Sequence, residues 1–202
     1  KVINNPLDLD VKRTVDGTLI GVTTKYFNAA NVDTNGIDIE INYSLDTDLG
    51  SLTFGLRGTH ILKYEIPDVL GRSKDVVGLF NHDNFARSLP ETKIILTADL
   101  INNLHTFSLL GRYMSDYKTT RVLSSSATSL GYNQNIDEWL SIDSKYNYSF
   151  EFNENQMRFS LGVKNIFNED APQVYDAANF SYDPRQHDPR GRLTYIGIKL
   201  LR

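Results

Sequence analysis

The residue types that most often carry out chemistry are few in this chain, and their spacing forms no catalytic constellation. Ser124, Ser125 and Ser126 follow one another, but they lack the Gly-x-Ser-x-Gly turn that exposes a nucleophile. Neither a His nor an Asp is held near them by spacing. The sequence contains no cysteine, which excludes thiolate catalysis, disulfide bonds and cysteine-based zinc sites. We therefore predict that the chain is not an enzyme.

Two His-Asp pairs are the best candidates for metal ligands. They are His82-Asp83 and His187-Asp188, and neither contains two histidines spaced at i and i+4. Hydrogen bonding within loops is the better interpretation of both pairs. Asp46 and Asp48 precede Gly50, but the later ligands of a calcium loop are missing, which predicts a tight turn. We predict no metal site and no cofactor.

A group of rings and cations near the C-terminus has the chemistry to bind a ligand. Aromatic rings stack on ligands and cations, and a few convergent polar groups orient a bound molecule. We predict substrate binding by Tyr175, Phe180, Tyr182, Arg185, His187 and Arg190. The alternative is that the charged residues of this segment fold it onto itself.

The composition excludes several classes of protein. Hydrophobic residues make up 40% of the chain, which argues against disorder, and 11 tyrosines and 10 phenylalanines are many for a soluble domain. The net charge is −4 without a block of Lys or Arg, so we predict no nucleic-acid partner. Apolar runs cover only a few residues, whereas a membrane-spanning helix needs roughly 20.

The secondary structure that must position these residues is predicted from hydrophobic periodicity. Apolar and polar residues alternate with a period of two, which is typical of strands with unlike faces. In the clearest segment, Ile37, Ile39 and Ile41 alternate with Asp38 and Glu40. We predict about eight strands, at roughly 18–28, 35–45, 51–65, 91–101, 105–118, 138–150, 156–166 and 192–201.

Short and long connections alternate between these strands. Residues 46–50, 102–104 and 151–155 form short connections, and 66–90, 119–137 and 167–191 form long ones. In an up-and-down sheet all the short connections then lie at one end. Transmembrane barrels have this asymmetry, with short periplasmic turns and long extracellular loops.

Aromatic residues are predicted near both ends of the strands, where rings favour the membrane interfaces. At the short-turn end these are Tyr43, Phe54, Phe107, Tyr148, Phe150 and Phe159, and at the long-loop end Tyr26, Tyr64, Tyr113 and Tyr117.

The pattern favours a transmembrane barrel with an aqueous interior over a soluble β-sandwich. The alternative is an extracellular sandwich that binds carbohydrate on exposed tyrosines and Trp139. In a barrel, the charged side chains of the strands face the lumen. The lumen-facing residues are predicted to be Asp38, Glu40, Arg57, Lys93, Asp99, Arg112, Asp143, Lys145 and Arg158.

Several motifs along the chain resemble one known family. They are Asn28-Ala29-Ala30 with Thr34-Asn-Gly-Ile-Asp-Ile-Glu40, Ala86-Arg-Ser-Leu-Pro90 with Lys93, Arg112-Tyr113 with Tyr117, Gly162-Val-Lys-Asn-Ile-Phe-Asn168 with Ala171-Pro172, and Tyr182-Asp-Pro184 with His187-Asp-Pro-Arg-Gly-Arg192. These segments are similar to the β-barrel domain of TonB-dependent outer-membrane receptors, and the last two are the most specific. The chain departs from the family in ending on Lys199-Leu-Leu-Arg202, without a terminal aromatic residue.

The resemblance implies a fold, a location and a function. Residues 1–202 would be a single C-terminal segment of the barrel, an all-β, antiparallel, up-and-down part with the last eight of 22 strands. It would lie in the bacterial (Gram-negative) outer membrane and take part in active uptake of a siderophore, cobalamin or oligosaccharide. Its partners would be membrane lipid, the rest of the barrel, a plug domain and, through the missing N-terminal part, the TonB energy-coupling system. A self-closed eight-stranded barrel is the competing possibility.

Overall fold

Antiparallel strands make up most of the protein. The computed structural model describes residues 11–23, 31–67, 72–82, 84–153, 155–175 and 181–201. The strands are β1 (Val11–Arg13), β2 (Leu19–Val22), β3 (Asp33–Thr47), β4 (Gly50–Pro67), β5 (Ser73–Asp75), β6 (Leu79–Phe80), β7 (Ser88–Leu89), β8 (Thr92–Asn102), β9 (His105–Met114), β10 (Tyr117–Thr119), β11 (Asn135–Ile136), β12 (Trp139–Phe152), β13 (Asn155–Lys164) and β14 (Leu193–Leu201). The one helix in these ranges is α1 (Ser125–Ser129). The all-β prediction is confirmed.

The chain divides into two compact units, Lys1–Asn31 and Val32–Arg202. The described part of the first unit is a hairpin in which β1 pairs antiparallel with β2. Asp16 organises its turn by accepting a hydrogen bond from the backbone of Thr18. The strand predicted over 18–28 is thus present at Leu19–Val22, paired with β1, while residues 24–30 lie outside the described ranges.

The second unit is built on one long antiparallel sheet. Its strands follow the order β3-β4-β8-β9-β12-β13-β14, and β5 adds to the end of β4. Each long strand pairs with the next one along the chain, as predicted for an up-and-down arrangement. Within the described residues β3 and β14 do not pair, so the sheet has two free edges and is not a self-closed barrel.

The register of the sheet separates apolar from charged side chains. We define the apolar face by Ile37, Ile39, Ile41, Tyr43 and Leu45 on β3, Leu52, Phe54 and Leu56 on β4, Ile94, Leu96, Ala98 and Leu100 on β8, Phe107, Leu109 and Tyr113 on β9, Leu140, Ile142, Tyr146, Tyr148 and Phe150 on β12, Met157, Phe159, Leu161 and Val163 on β13, and Ile196, Ile198 and Leu200 on β14. Between the tight turns and the irregularity at Asn35/Gly36, every Asp, Glu, Lys and Arg of these paired segments lies on the opposite, polar face. Beyond that irregularity, at the loop end of β3 and β4, Lys63 pairs with Asp33 and Glu65. A slip of one residue in any pairing would bring charges onto the apolar face.

Two kinds of connection alternate at the ends of the sheet. Tight turns join β3 to β4, β8 to β9 and β12 to β13, and they include Gly50, Asn103 and Asn153 at positive φ. Gly and Asn are the residues that tolerate this left-handed conformation. The other end carries the first connection (residues 68–91), the second (115–138) and the last (165–192). The predicted alternation of short and long connections is confirmed.

The long connections pack together and contain the buried core. A small sheet of order β11-β10-β6-β7 joins the first and second connections, with a parallel pairing between β10 and β6. Phe80, Tyr117, Ile136 and Val174 form a buried cluster. Among the described residues, those that are apolar and buried lie in these connections or at the adjoining strand ends, namely Ile66, Val76, Phe80, Met114, Tyr117, Ala127, Ile136, Trp139 and Val174.

The aromatic residues predicted at the short-turn end all lie on the apolar face. The prediction for the other end is wrong at Tyr117, because this side chain is only 2% exposed and packs among the connections. Tyr26 lies outside the described residues. In the described chain we find no helix with the length and apolar content needed to cross a membrane.

Candidate ligand-binding cavity

A cavity of about 280 Å³ lies on the polar face at the end of the sheet that carries the long connections. The sheet contributes residues from β9, β12, β13 and the start of β14, and the last connection covers them. We call this space the loop-end cavity, and it is lined by Arg112, Trp139, Ser141, Asp143, Lys164, Asn165, Pro184, Arg185, Gln186, His187, Asp188, Arg190, Gly191 and Leu193.

Two asparagines shape the entry and exit of the last connection. Asn165 and Asn168 both have positive φ, which turns the chain sharply after β13. The Asn165 side chain donates to the backbone oxygen of Glu169 and accepts from its nitrogen. Asn168 accepts a hydrogen bond of 2.9 Å from the backbone nitrogen of Arg192, just before β14 begins. The two asparagines of the Lys-Asn-Ile-Phe-Asn motif are therefore turn residues, and Asn168 links the start of the last connection to its end.

Asp183 anchors the last connection to the other two. Its carboxylate is fully buried and accepts hydrogen bonds from the hydroxyls of Ser88 in the first connection and Tyr117 in the second. The same carboxylate accepts from the backbone nitrogen of Arg185. Burial and the nearby carboxylate raise the pKa of Tyr117, so its phenol stays protonated and can donate. A buried carboxylate needs such donors, because its charge is otherwise costly.

A second contact ties the connection to the sheet. The ammonium group of Lys93 on β8 donates to the side-chain oxygen of Gln186 at 2.7 Å. The amide nitrogen of Gln186 in turn donates to the backbone oxygen of Ser88 at 3.3 Å. These two hydrogen bonds fix the position of Gln186, which forms part of the cavity wall.

His187 is buried at the bottom of the connection between two aromatic rings. It is 5% exposed, with its ring stacked near Tyr117 and the ring of Trp139 edge-on at 5.6 Å between centroids. Burial lowers the pKa of His187, although the charge of Asp183 acts against this. Within the described residues, both ring nitrogens of His187 lack a hydrogen-bond partner. The indole nitrogen of Trp139 lacks one as well.

The charged groups around the cavity divide into paired and unpaired ones. Arg112 donates to Asp143 at 2.9 Å, and Asp143 also accepts from the backbone nitrogen of Asn165. Arg190 grips Asp188 through two nitrogens, and these hydrogen bonds lower the pKa of Asp188 to about 2.

Two further cations line the same cavity. Among the described residues, the side chains of Lys164 and Arg185 form no salt bridge or hydrogen bond, although the charge of Lys164 acts on Asp188. Counting formal charges, the lining holds four cations and two carboxylates. The cavity is therefore electropositive.

The structure brings together three of the six residues for which the sequence predicts ligand binding. Arg185, His187 and Arg190 line the loop-end cavity, whereas Tyr182 does not. Tyr175 instead lies 4.9 Å from Tyr132, ring centre to ring centre, beside a separate small pocket. Phe180 lies outside the described residues.

Other residues of the cavity were not singled out for ligand binding in the sequence. Lys164 and Asn165 belong to one of the motifs that carry the family resemblance, and Lys164, Arg112 and Asp143 are predicted to be charges of the barrel wall. Trp139 was expected on an exposed carbohydrate platform, but it is 7% exposed and is buried against His187. That role is therefore wrong for Trp139. Alternation places Arg112 and Asp143 on one face, but only the fold places the last connection over them.

The nine charges predicted to face a lumen share the polar face. Glu40 pairs with Arg57 at 2.9 Å, and Asp38 accepts from Thr59 at 2.7 Å. Cross-strand contacts of this kind satisfy the side chains locally. The described residues contain no group of three or more His, Cys, Asp or Glu side chains arranged to hold a metal ion.

Comparison with known proteins adds no assignment for the chain. No protein-family model matches it. The search of curated proteins finds no match either.

Proposed function

We propose that this chain is part of the wall of a transmembrane β-barrel in the bacterial outer membrane, within a receptor of the TonB-dependent type. The receptor would take up a scarce nutrient such as a siderophore, cobalamin or oligosaccharide, without catalysing a reaction. The long strands would be among the last of a 22-stranded barrel. The plug domain and the remaining strands would come from other parts of the polypeptide.

The observation that carries the proposal is the uncovered apolar face. Ile37, Ile39 and Ile41 are 50%, 49% and 55% exposed, and the apolar positions continue across seven strands without an Asp, Glu, Lys or Arg. Soluble monomers rarely expose an apolar patch beyond a few hundred Å². Contact with lipid hydrocarbon would remove this surface from water, which is favourable.

The height of the apolar face agrees with a membrane. On β12 the face runs from Leu140 to Phe150, a length of about 33 Å at 3.3 Å per residue. A strand tilt of roughly 40° reduces this to about 25 Å, the height of the apolar band in outer-membrane barrels. Tyr146, Tyr148 and Phe150 lie toward the short-turn end of this strand, as expected for an interfacial belt of rings.

The two free edges also support a larger barrel. Spanning sheets must pair all backbone groups, because hydrocarbon supplies no hydrogen-bond partners. Strands β3 and β14 would therefore each need a neighbour. In the proposed assembly those neighbours belong to the remainder of the barrel.

A soluble sandwich is supported less well. In that fold a second sheet would cover the apolar face and make it the core. In the described residues the buried core lies instead among the long connections, and the central leucines of the face remain exposed, Leu96 at 49%.

A vesicle flotation assay tests the proposal. Wild-type chain is refolded with phospholipid vesicles, and the fraction that floats with lipid is measured beside the variants Ile39→Lys and Leu96→Lys. A lysine on the lipid-facing side of a barrel costs about 2–4 kcal/mol near the middle of the bilayer. We expect wild type to float and both variants to lose most of this association.

The matched controls place a lysine on the polar face of the same two strands. Asn42→Lys and Thr97→Lys alter the polar face of β3 and β8, and both should float like wild type. A wild-type chain that stays monodisperse without detergent and does not float would overturn the proposal. Equal loss in the two sets of variants would do the same.

A further inference from the structure

We infer that the loop-end cavity binds a small ligand that carries at least two oxyanion groups, carboxylate or phosphate. The inference deepens the proposed function, and it depends on that function only for the statement that the ligand is cargo. The cavity itself is a feature of the polar face and of the last connection. Its charges, its unpartnered polar atoms and its volume each point to the same class of ligand.

The charges point to a dianion. Arg112 and Arg190 are each held by one carboxylate, Asp143 and Asp188, which fixes their orientation and neutralises one charge apiece. Their guanidinium groups still have further N–H donors, because each carries five. Lys164 and Arg185 contribute two more positive charges to the lining. An oxyanion pair would balance this excess.

Two buried side chains with unpartnered polar atoms distinguish this cavity from a merely basic surface. His187 and Trp139 line the cavity, and both are more than nine-tenths buried. Their ring nitrogens have no partner in the described part of the chain. Leaving a buried donor unsatisfied costs free energy. An oxyanion that reached these rings would remove this cost by accepting from the indole N–H of Trp139 and from the ring N–H of His187.

The volume limits the size of the ligand. At about 280 Å³ the cavity is just below the usual range of volumes for small-molecule sites. It suits a compact anion, or the anionic end of a larger ligand. A carboxylate or phosphate also matches the N–H donors of Arg112 and Arg190 that Asp143 and Asp188 leave free, which a neutral sugar would not use fully.

Calorimetric titration of the full chain tests the inference. Inorganic pyrophosphate and succinate are the two probes, which separates phosphate from carboxylate recognition, and glucose is the neutral comparison. At low ionic strength, where screening is weak, we expect at least one anion to bind one site and glucose not to bind. Lys164→Ala/Arg185→Ala should weaken that binding by tenfold or more, and His187→Phe should weaken it while keeping the ring between Trp139 and Tyr117.

The control removes two cations from the same face outside the cavity. Lys145→Ala/Arg158→Ala should leave the affinity within about twofold of wild type, because neither residue lines the cavity. The inference is overturned if neither anion binds wild type, or if the control weakens binding as much as the cavity variant. The flotation assay tests whether the apolar face contacts lipid, and this titration tests whether the cavity binds an anion. Either the proposed function or the ligand inference can therefore fail while the other stands.

Discussion

The phenol of Tyr117 donates a hydrogen bond of 2.9 Å to the carboxylate of Asp183, 66 positions later in the chain. Ser88, in the first connection, donates to the same oxygen. One buried carboxylate thus joins all three long connections. Because the last connection covers the loop-end cavity, this contact also holds the cavity closed on that side.

Removing this anchor should loosen the last connection. In Asp183→Ala the hydroxyls of Ser88 and Tyr117 lose their acceptor in a buried place, which costs about 1–3 kcal/mol. We expect a lower free energy of unfolding and faster limited proteolysis within 165–192. The comparison is Asp188→Ala, which breaks an exposed pair with Arg190 and should cost about 1 kcal/mol or less. Equal sensitivity of the two variants to protease would contradict the anchoring role of Asp183.

Acidification should weaken the packing of the last connection through His187. Burial lowers the pKa of this imidazole below its usual 6.5, so the unfolded chain takes up a proton that the folded chain resists. The stability is therefore fully present above about pH 6.5 and is lost as the pH falls below it. The groups that face the ring are Asp183, whose charge opposes the shift, Lys93, which adds to it, and the rings of Tyr117 and Trp139.

The measurement is amide hydrogen exchange in the last connection at about pH 7.5 and about pH 5.5, corrected for intrinsic rates. Protection should fall at the lower pH in wild type and stay more nearly constant in His187→Phe, which keeps the ring. The same loss of protection in both proteins would remove His187 as the cause.

The pairing of the last two strands, β13 and β14, should be sensitive to a glycine that faces an aromatic ring. Gly162 on β13 pairs with Tyr195 on β14, and a Cβ at Gly162 would lie 2.3 Å from the ring. Gly162→Ala should therefore displace the far end of the Tyr195 side chain and destabilise the protein by about 1 kcal/mol, the low end of the cost of overpacking. At Gly197 the nearest atom would be 3.8 Å away, so Gly197→Ala should change the free energy of unfolding by about 0.5 kcal/mol or less.

Urea unfolding of both variants, together with Tyr195→Ala and the double variant Gly162→Ala/Tyr195→Ala, checks this contact. Shortening the tyrosine frees the space, so the double variant should lose less than the two single changes together. Strict additivity would show that the ring and the glycine do not constrain one another.

The strands of the long sheet could be predicted because each carries its own signal. Ile37, Ile39 and Ile41 alternate with Asp38 and Glu40, and a period of two assigns each side chain to a face without knowledge of its neighbour. Turn residues such as Gly50 and Asn103 then divide the chain. The seven long strands of the structure lie where this pattern predicts them.

The packing of the long connections could not be predicted in the same way. Tyr117 is predicted to be an interfacial ring because it lies near the long-loop end of the strand predicted over 105–118, but its partner Asp183 is distant in the sequence. Two-residue strands such as β6 and β11 are too short to show a period. The sequence therefore predicted the cations Arg185 and Arg190 as ligand-binding residues, while the contributions of Trp139 and Lys164 required the fold.

The most direct test of the account compares neighbouring residues on the two faces. The chain has no cysteine, so Ile39→Cys, Glu40→Cys, Leu96→Cys and Thr97→Cys each provide one site for an environment-sensitive fluorophore in lipid vesicles. We predict that labels at 39 and 96 are quenched by nitroxides attached to lipid chains. Labels at 40 and 97 should be quenched by iodide in the water. If the two labels of each pair respond alike and only to iodide, the apolar face does not contact lipid and the account is contradicted.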